Sequence, residues 1–193
     1  MSTVLITFND QAKVEVVHDD APRDKDVVER HHVQFINRDN EESVYGVEIE
    51  PGQWAMANPR YYVNWRVEVQ CNDGEPIVHD FDLIGKDVLI VIDSKSLGDT
   101  LAWTPWAVEF GKAHQCRVTV MTFWNQLFDY PDVEFRELGP ITDKVYYAVY
   151  RVGANDANPN ANRVDWRTIP LQQIASDFLG LPYQELKPKL RAF

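Results

Sequence analysis

The chain has 193 residues, 45% of them hydrophobic and 12% aromatic, which is enough apolar surface to offset the entropy of ordering a backbone and so excludes disorder. Its 19 basic and 30 acidic residues leave a formal charge of −11, a field that repels nucleic acid and anionic lipid. At roughly 100–200 residues per domain, the length allows one ordinary domain or two small ones.

The N-terminus, Met1 to Asp10, has no basic region, long apolar run or small-residue cleavage site, and nothing in the chain approaches the roughly 20 apolar residues that cross a bilayer. A soluble, cytoplasmic protein is expected. The two cysteines, Cys71 and Cys116, lie far apart and show no zinc or disulfide spacing, so both read as buried thiols in a reducing compartment.

Up to about residue 85, short runs of Val, Ile, Tyr and Phe bounded by Asp, Asn, Gly and Pro predict strands. These are Val4 to Phe8, Lys13 to His18, His32 to Asn37, Val44 to Glu50 and Tyr61 to Gln70. In the last, Tyr62, Asn64, Arg66 and Glu68 alternate with Val63, Trp65, Val67 and Val69, the period of a half-buried antiparallel strand. The charged stretch from Asp19 to Arg30 reads as a solvated loop. Residues 1–85 are thus expected to form an all-β domain, a small sandwich or barrel.

After Gly85 the pattern changes. Val88-Leu89-Ile90-Val91-Ile92 is apolar without alternation, as in a strand of a parallel sheet covered on both faces. Leu101 to His114 has helical spacing, and Pro105 implies either a kink or a helix that starts there with Thr104 as its cap. Arg117 to Phe123 is a second β-branched strand, completing a βαβ unit. Val133 to Phe135 and Lys144 to Val152 are further strands, Gly153 to Asn162 is a turn-rich loop, and Ile169 to Leu179 is a helix stopped by Gly180. Residues 86–193 therefore read as α/β. The last helix is not followed by another strand, so the α/β unit looks cut short.

In an open parallel sheet, ligands bind outside the carboxyl ends of the strands, which directs attention to Asp93-Ser94-Lys95-Ser96-Leu97-Gly98-Asp99-Thr100. Small hydroxyl residues and Gly98 allow close approach to the backbone, and the N-terminus of the following helix faces the same spot. It is not a P-loop, because Gly98 is followed by Asp instead of Lys. A carboxylate at Asp99 is placed to take a proton from an acceptor hydroxyl. The same pattern also suits a helix cap, and Asp93 suits a strand-end turn.

The run Asp93-Ser94-Lys95-Ser96-Leu97-Gly98-Asp99-Thr100-Leu101-Ala102-Trp103-Thr104-Pro105 resembles the first loop and helix of the bacterial autotransporter heptosyltransferases. The likeness recurs at Thr122 to Asn125, Tyr130 to Phe135, Asp165 to Gln172, Ala175 to Leu181 and, ahead of the loop, Tyr61 to Arg66, so it covers about residue 60 onward. It implies a GT-B enzyme with two Rossmann-like lobes behind a β-domain, of which this chain would be the β-domain and the first, acceptor lobe. Such an enzyme moves heptose from ADP-heptose to serine hydroxyls of an autotransporter adhesin. By the resemblance Asp99 is the general base of an inverting transfer.

Ser94, Lys95, Ser96, Leu97, Gly98 and Thr100 would then shape the loop around the substrates. Trp124 would stack on sugar, with Asn125 beside it, although core packing and a turn explain this pair equally well. The resemblance places the nucleotide-sugar mainly on a second lobe and the family's cysteine-rich iron site beyond residue 193, so no metal or cofactor is assigned here, and it leaves a homo-oligomer open. Two other readings stand beside it: a non-catalytic adhesin-binding module, and a glycosyltransferase of another sugar specificity.

Overall fold

The computed structural model describes residues 2–18, 29–72, 74–154, 157–158 and 162–192. The expected loop from Asp19 to Arg30 lies outside these except for Glu29 and Arg30, and so do residues 155–156 and 159–161 of the expected Gly153 to Asn162 loop. The chain divides into two compact units, residues 1–58 with 63–81, and residues 59–62 with 82–193.

The first unit is built of antiparallel strands. Strands β1 (Thr3–Asn9) and β2 (Gln11–Val17) form a hairpin turning at Asp10, whose φ of 62° lies in the left-handed region that Asp tolerates. Strand β5 (Trp54–Met56) pairs with β2. A second ladder runs in the order β4 (Glu42–Ile49), β3 (His31–Asn37), β6 (Trp65–Cys71), β7 (Ile77–Asp80). Each ladder turns alternate residues inward: Ala12, Val14 and Val16 on β2, Val33 and Phe35 on β3, and Trp65, Val67 and Val69 on β6 are all buried. Phe8 of β1 stacks on His79 of β7 at 5.6 Å and meets Phe81 edge-on at 4.6 Å, joining the two layers.

Two strands escape the sequence pattern. β5 and β7 are three and four residues long, too short for alternation to register. The run expected as one strand from Tyr61 begins pairing only at Trp65, because Tyr62 instead donates its N–H to the Phe178 carbonyl at 2.8 Å.

The second unit contains β8 (Asp87–Ile92), α1 (Leu97–His114), β9 (Arg117–Thr122), β10 (Glu134–Arg136), β11 (Ala148–Arg151) and α2 (Leu171–Phe178). Its four strands are parallel in the order β10-β9-β8-β11. The expected strand from Lys144 shrinks to Ala148–Arg151. Both faces of the sheet are covered, as the apolar run of β8 implies. On one face α1 lies over the strands, with Phe110 meeting Tyr150 at 5.4 Å. On the other, Leu89, Val91 and Met121 pack with Tyr146, Leu138 and Ile141.

Helix α1 begins at Leu97, ahead of both starts the sequence allowed, and runs through Pro105. A proline inside a helix costs about 3 kcal/mol or more. Ala102, Trp103, Trp106, Ala107, Val108 and Phe110 are all buried around it, and their burial, roughly 1.5–3 kcal/mol for each large side chain, outweighs that cost. Trp103 donates its indole N–H to the Leu171 carbonyl at 2.9 Å, fixing α2 to α1.

At the amino ends of the strands, Arg117 and Lys144 reach Asp87 at 2.6 and 2.9 Å, and Lys144 also reaches Glu134 at 3.2 Å. The Arg117 guanidinium and the Lys144 ammonium hold the Asp87 carboxyl down at about 2. The tail from Leu181 to Ala192 is extended but anchored. Asp129 donates its N–H to the Lys189 carbonyl, Arg191 donates its own to the Leu127 carbonyl, and the Gln172 amide is bonded to both backbone groups of Leu186.

Candidate functional site

Strand order places the site. From β8 the chain moves outward to β9 and β10, then returns to add β11 on the opposite side of β8. Loops leaving the carboxyl ends of β8 and β11 therefore diverge, and such a reversal is where open α/β sheets generally form a ligand crevice. The loop after β8 is Asp93 to Ser96, the loop after β9 starts at Phe123, and β11 ends at Arg151.

Ser96, not Asp99, caps α1. Its side chain accepts the Asp99 N–H at 3.3 Å and its carbonyl accepts the Thr100 hydroxyl at 3.2 Å. Relieved of that task, the Asp99 carboxylate accepts the Ser94 hydroxyl on Oδ2 at 2.6 Å, and Ser94 Oγ in turn accepts the Ser96 N–H at 3.1 Å. Asp99 is half-buried at the helix N-terminus, and its Oδ1 has no hydrogen-bond partner among the described residues. The carboxylate is thus oriented by one oxygen with the other left to interact.

Gly98 is exposed. Its φ is not positive, and a Cβ there would meet only Ser96 Oγ, at 3.6 Å. The fold itself does not require glycine at this position. Lys95 is exposed, with its ammonium 6.0 Å from the centre of the Phe123 ring, and Leu97 is exposed beside it. Trp124 is half-buried and donates its indole N–H to the Lys95 carbonyl at 3.3 Å, tying the two loops together. Asn125 opens a single 3₁₀ turn, Asn125–Leu127.

Ser94, Lys95, Ser96, Leu97, Gly98, Asp99 and Trp124 therefore lie close together at this candidate site, on the loops after β8 and β9 and the first turn of α1. Thr100 does not face it: it is fully buried, its hydroxyl placed between Ser96 O and the Thr122 hydroxyl, the latter 3.5 Å away.

Sequence pattern missed Arg151. It reaches Asp93 at 3.2 Å across the switch point, a cation beside the crevice that only the return of β11 to β8 supplies. A cavity of about 410 Å³ along α1, lined by Val108, Cys116, Tyr130 and Lys189 among others, shares no residue with the crevice. Among the described residues one group of three metal-ligating side chains occurs, Glu29, His31 and Cys71, in the first unit. Neither cysteine is fully buried as expected. Cys71 and Cys116 are both half-buried, because each sits at a strand margin, at the end of β6 and just before β9.

No family model matches the chain. It is 29% identical over 97% of its length to the autotransporter heptosyltransferase BAHTCr of Citrobacter rodentium, covering 45% of that protein. It is also 29% identical over 82% of its length to the autotransporter heptosyltransferase TibC of Escherichia coli, covering 41% of it. The chain is thus similar in sequence to autotransporter heptosyltransferases. The crystal structure of TibC, described as a bacterial iron-containing dodecameric glycosyltransferase, superposes with a TM-score of 0.85 at 26% identity, over 98% of this chain and 48% of that one.

A second TibC structure, in complex with ADP-D-β-D-heptose, gives a TM-score of 0.82 over 97% of this chain and 48% of that one, again at 26% identity. A further relative, from Burkholderia thailandensis, is named an inactive autotransporter heptosyltransferase, BimC; it is 28% identical over 68% of this chain and 32% of its own length. The likeness thus reaches beyond residue 60 into the first strands, where the separate motifs alone did not carry it. The chain spans about half the length of the curated relatives it matches.

Proposed function

We propose that the chain is the N-terminal half of a protein O-heptosyltransferase, with residues 1–85 as its β-domain and residues 86–193 as the Rossmann-like acceptor lobe of a GT-B fold. The observation that carries this reading is the likeness to TibC over nearly the whole chain, combined with a carboxylate held at the switch-point crevice. The donor is ADP-heptose, the acceptor a serine hydroxyl of an autotransporter adhesin, and the enzyme acts in the cytoplasm and assembles as an oligomer.

In this mechanism Asp99 is the general base. The Ser94 hydroxyl fixes Oδ2, so Oδ1 is presented to the acceptor O–H and takes its proton as the serine oxygen attacks the anomeric carbon. ADP leaves from the opposite face, and the configuration inverts. Gly98 and the N-terminus of α1 leave room for a polar substrate to come close to the backbone, while Lys95 and Arg151 add positive charge beside it. Trp124 braces the loop that carries Lys95 and offers its ring to a sugar.

By this reading the relatives' iron lies in the half that this chain does not span. A cysteine-rich site needs more thiols than Cys71 and Cys116, which lie in different units.

The test is turnover of ADP-heptose on an adhesin segment by a full-length relative bearing Asp→Asn at the position aligned with Asp99. A kcat lower by at least about 10²-fold, with KM for the donor little changed, is expected. Unchanged turnover removes Asp99 from the role. The inactive relative keeps a second reading in play, an adhesin-binding module without chemistry. It predicts that the chain binds adhesin with equal affinity whether or not Asp99 is replaced.

A further inference from the structure

The first unit carries an arrangement that the transfer reaction does not use. His31 opens β3 and Cys71 closes β6, and the two are directly opposed in the antiparallel register. Both follow the inward parity of their strands, after Val33 and Phe35 on one and Val67 and Val69 on the other, so both side chains point to the inner face at one end of the ladder. Glu29, two residues before His31, comes to the same place.

Glu29 Oε1 lies 3.4 Å from His31 Nε2 and 3.8 Å from Cys71 Sγ, and the three ligand atoms all fall within 4.8 Å of one another. From zinc bond lengths of about 2.0–2.3 Å, the edges of a tetrahedron run to roughly 3.3–3.6 Å. The Glu29–His31 edge already has that length, and Cys71 has only tenths of an ångström to close toward Glu29.

The backbone around this group is held. Beyond the last ladder pair, Asn72 donates its N–H to the Arg30 carbonyl at 2.8 Å, and its side-chain oxygen accepts the Arg30 N–H at 3.0 Å. Asn72 turns with a φ of 47° to do so. This double clamp holds the backbone at the ends of the two strands, from which the three side chains project. Burial completes the setting: the His31 side chain is 3% exposed and that of Glu29 20%.

We infer that Glu29, His31 and Cys71 form a binding site for one divalent transition-metal ion of the zinc type, in the β-domain. One carboxylate oxygen, one imidazole nitrogen and one thiolate suit a borderline ion. They do not suit Mg²⁺ or Ca²⁺, which take oxygen ligands. Three protein ligands leave a fourth position for water. The ion would pin Glu29 and the start of β3 to the end of β6.

The experiment is titration of the purified metal-free 193-residue chain with Zn²⁺ by calorimetry, and with Co²⁺ by absorption. One ion per chain is expected, together with a near-ultraviolet thiolate-to-cobalt charge-transfer band, tetrahedral visible bands, and a rise of several degrees in Tm that a chelator reverses. Cys71→Ser should abolish the charge-transfer band and weaken binding at least tenfold, whereas Cys116→Ser should leave both intact. Glu29→Gln removes a ligand at the margin of the fold without emptying the core and should also weaken binding, so the inference stays testable if His31→Gln does not fold. Absence of stoichiometric binding, or a charge-transfer band that survives Cys71→Ser, overturns it.

Discussion

Two glycines of the second unit should respond in opposite ways to the same substitution. At Gly180, which ends α2, φ is +70° and a Cβ would stand 2.5 Å from Cδ1 of Tyr62. Tyr62 cannot yield easily: its N–H is bonded to the Phe178 carbonyl at 2.8 Å, and its ring sits 4.6 Å from His114 and 5.8 Å from Phe110. A side chain in the left-handed region costs about 1–2 kcal/mol, and overpacking adds about 1–3, so Gly180→Ala should destabilise by about 2–5 kcal/mol.

At Gly98 the nearest atom is 3.6 Å away and φ is not positive, so Gly98→Ala should be neutral or stabilise by up to about 1 kcal/mol. Because the chain has two units, global unfolding need not be two-state. Hydrogen exchange of the α1 amides around Trp106 and Phe110 reads the second unit alone. A Gly98→Ala variant destabilised by more than about 1 kcal/mol would make this glycine structural and withdraw its support for a ligand that approaches the backbone. A Gly180→Ala variant within about 0.5 kcal/mol of the parent chain would refute the packing argument.

Asp87 should give the second unit an acid-sensitive share of its stability. Its folded pKa is depressed to about 2, so its contribution is complete above the ordinary carboxylate range near 4 and fades as pH falls from about 4 to 2. Arg117 is well exposed and the pair is screened, which limits the share to about 1 kcal/mol; urea midpoints of the parent chain and Asp87→Asn should differ at pH 7 and converge only as pH falls through about 2. Trp103→Phe removes the indole hydrogen bond to the Leu171 carbonyl and should cost about 1 kcal/mol, read as lost exchange protection where α1 meets α2. Burial pushes the Cys116 thiol up to about 11. Iodoacetamide at pH 8 should therefore modify it about 10²-fold more slowly than an ordinary thiol, and a rate equal to that of a free thiol would contradict the burial.

The strands that the sequence made legible are those whose burial is periodic. β2, β3 and β6 alternate, β8 is apolar throughout, and each is read directly from its residues. What stayed hidden depends on partners distant in sequence. β5 and β7 are too short to carry a period and exist because β2 and β6 offer free edges. The start of α1 depended on which of several capping residues would win, and Ser96 did, releasing Asp99 from the cap that local pattern favoured for it. Metal sites show in a sequence when their ligands are closely spaced, and Cys71 lies forty residues beyond His31 in the chain, opposite it only in the ladder.

The sequence by itself determined the two kinds of architecture, the βαβ unit with its loop from Asp93 to Thr100, and the family likeness. These rest on local periodicity and on contiguous motifs, which need no knowledge of what lies across the sheet. The tertiary structure alone decided the strand order that reverses between β8 and β11. It also brought Arg151 to Asp93, turned the Asp99 carboxylate onto Ser94, buried Thr100 beneath the site, and assembled Glu29, His31 and Cys71. Each of these joins groups remote in the chain or selects one of several local hydrogen bonds, and both are settled only when strand pairing and packing hold the backbone in place.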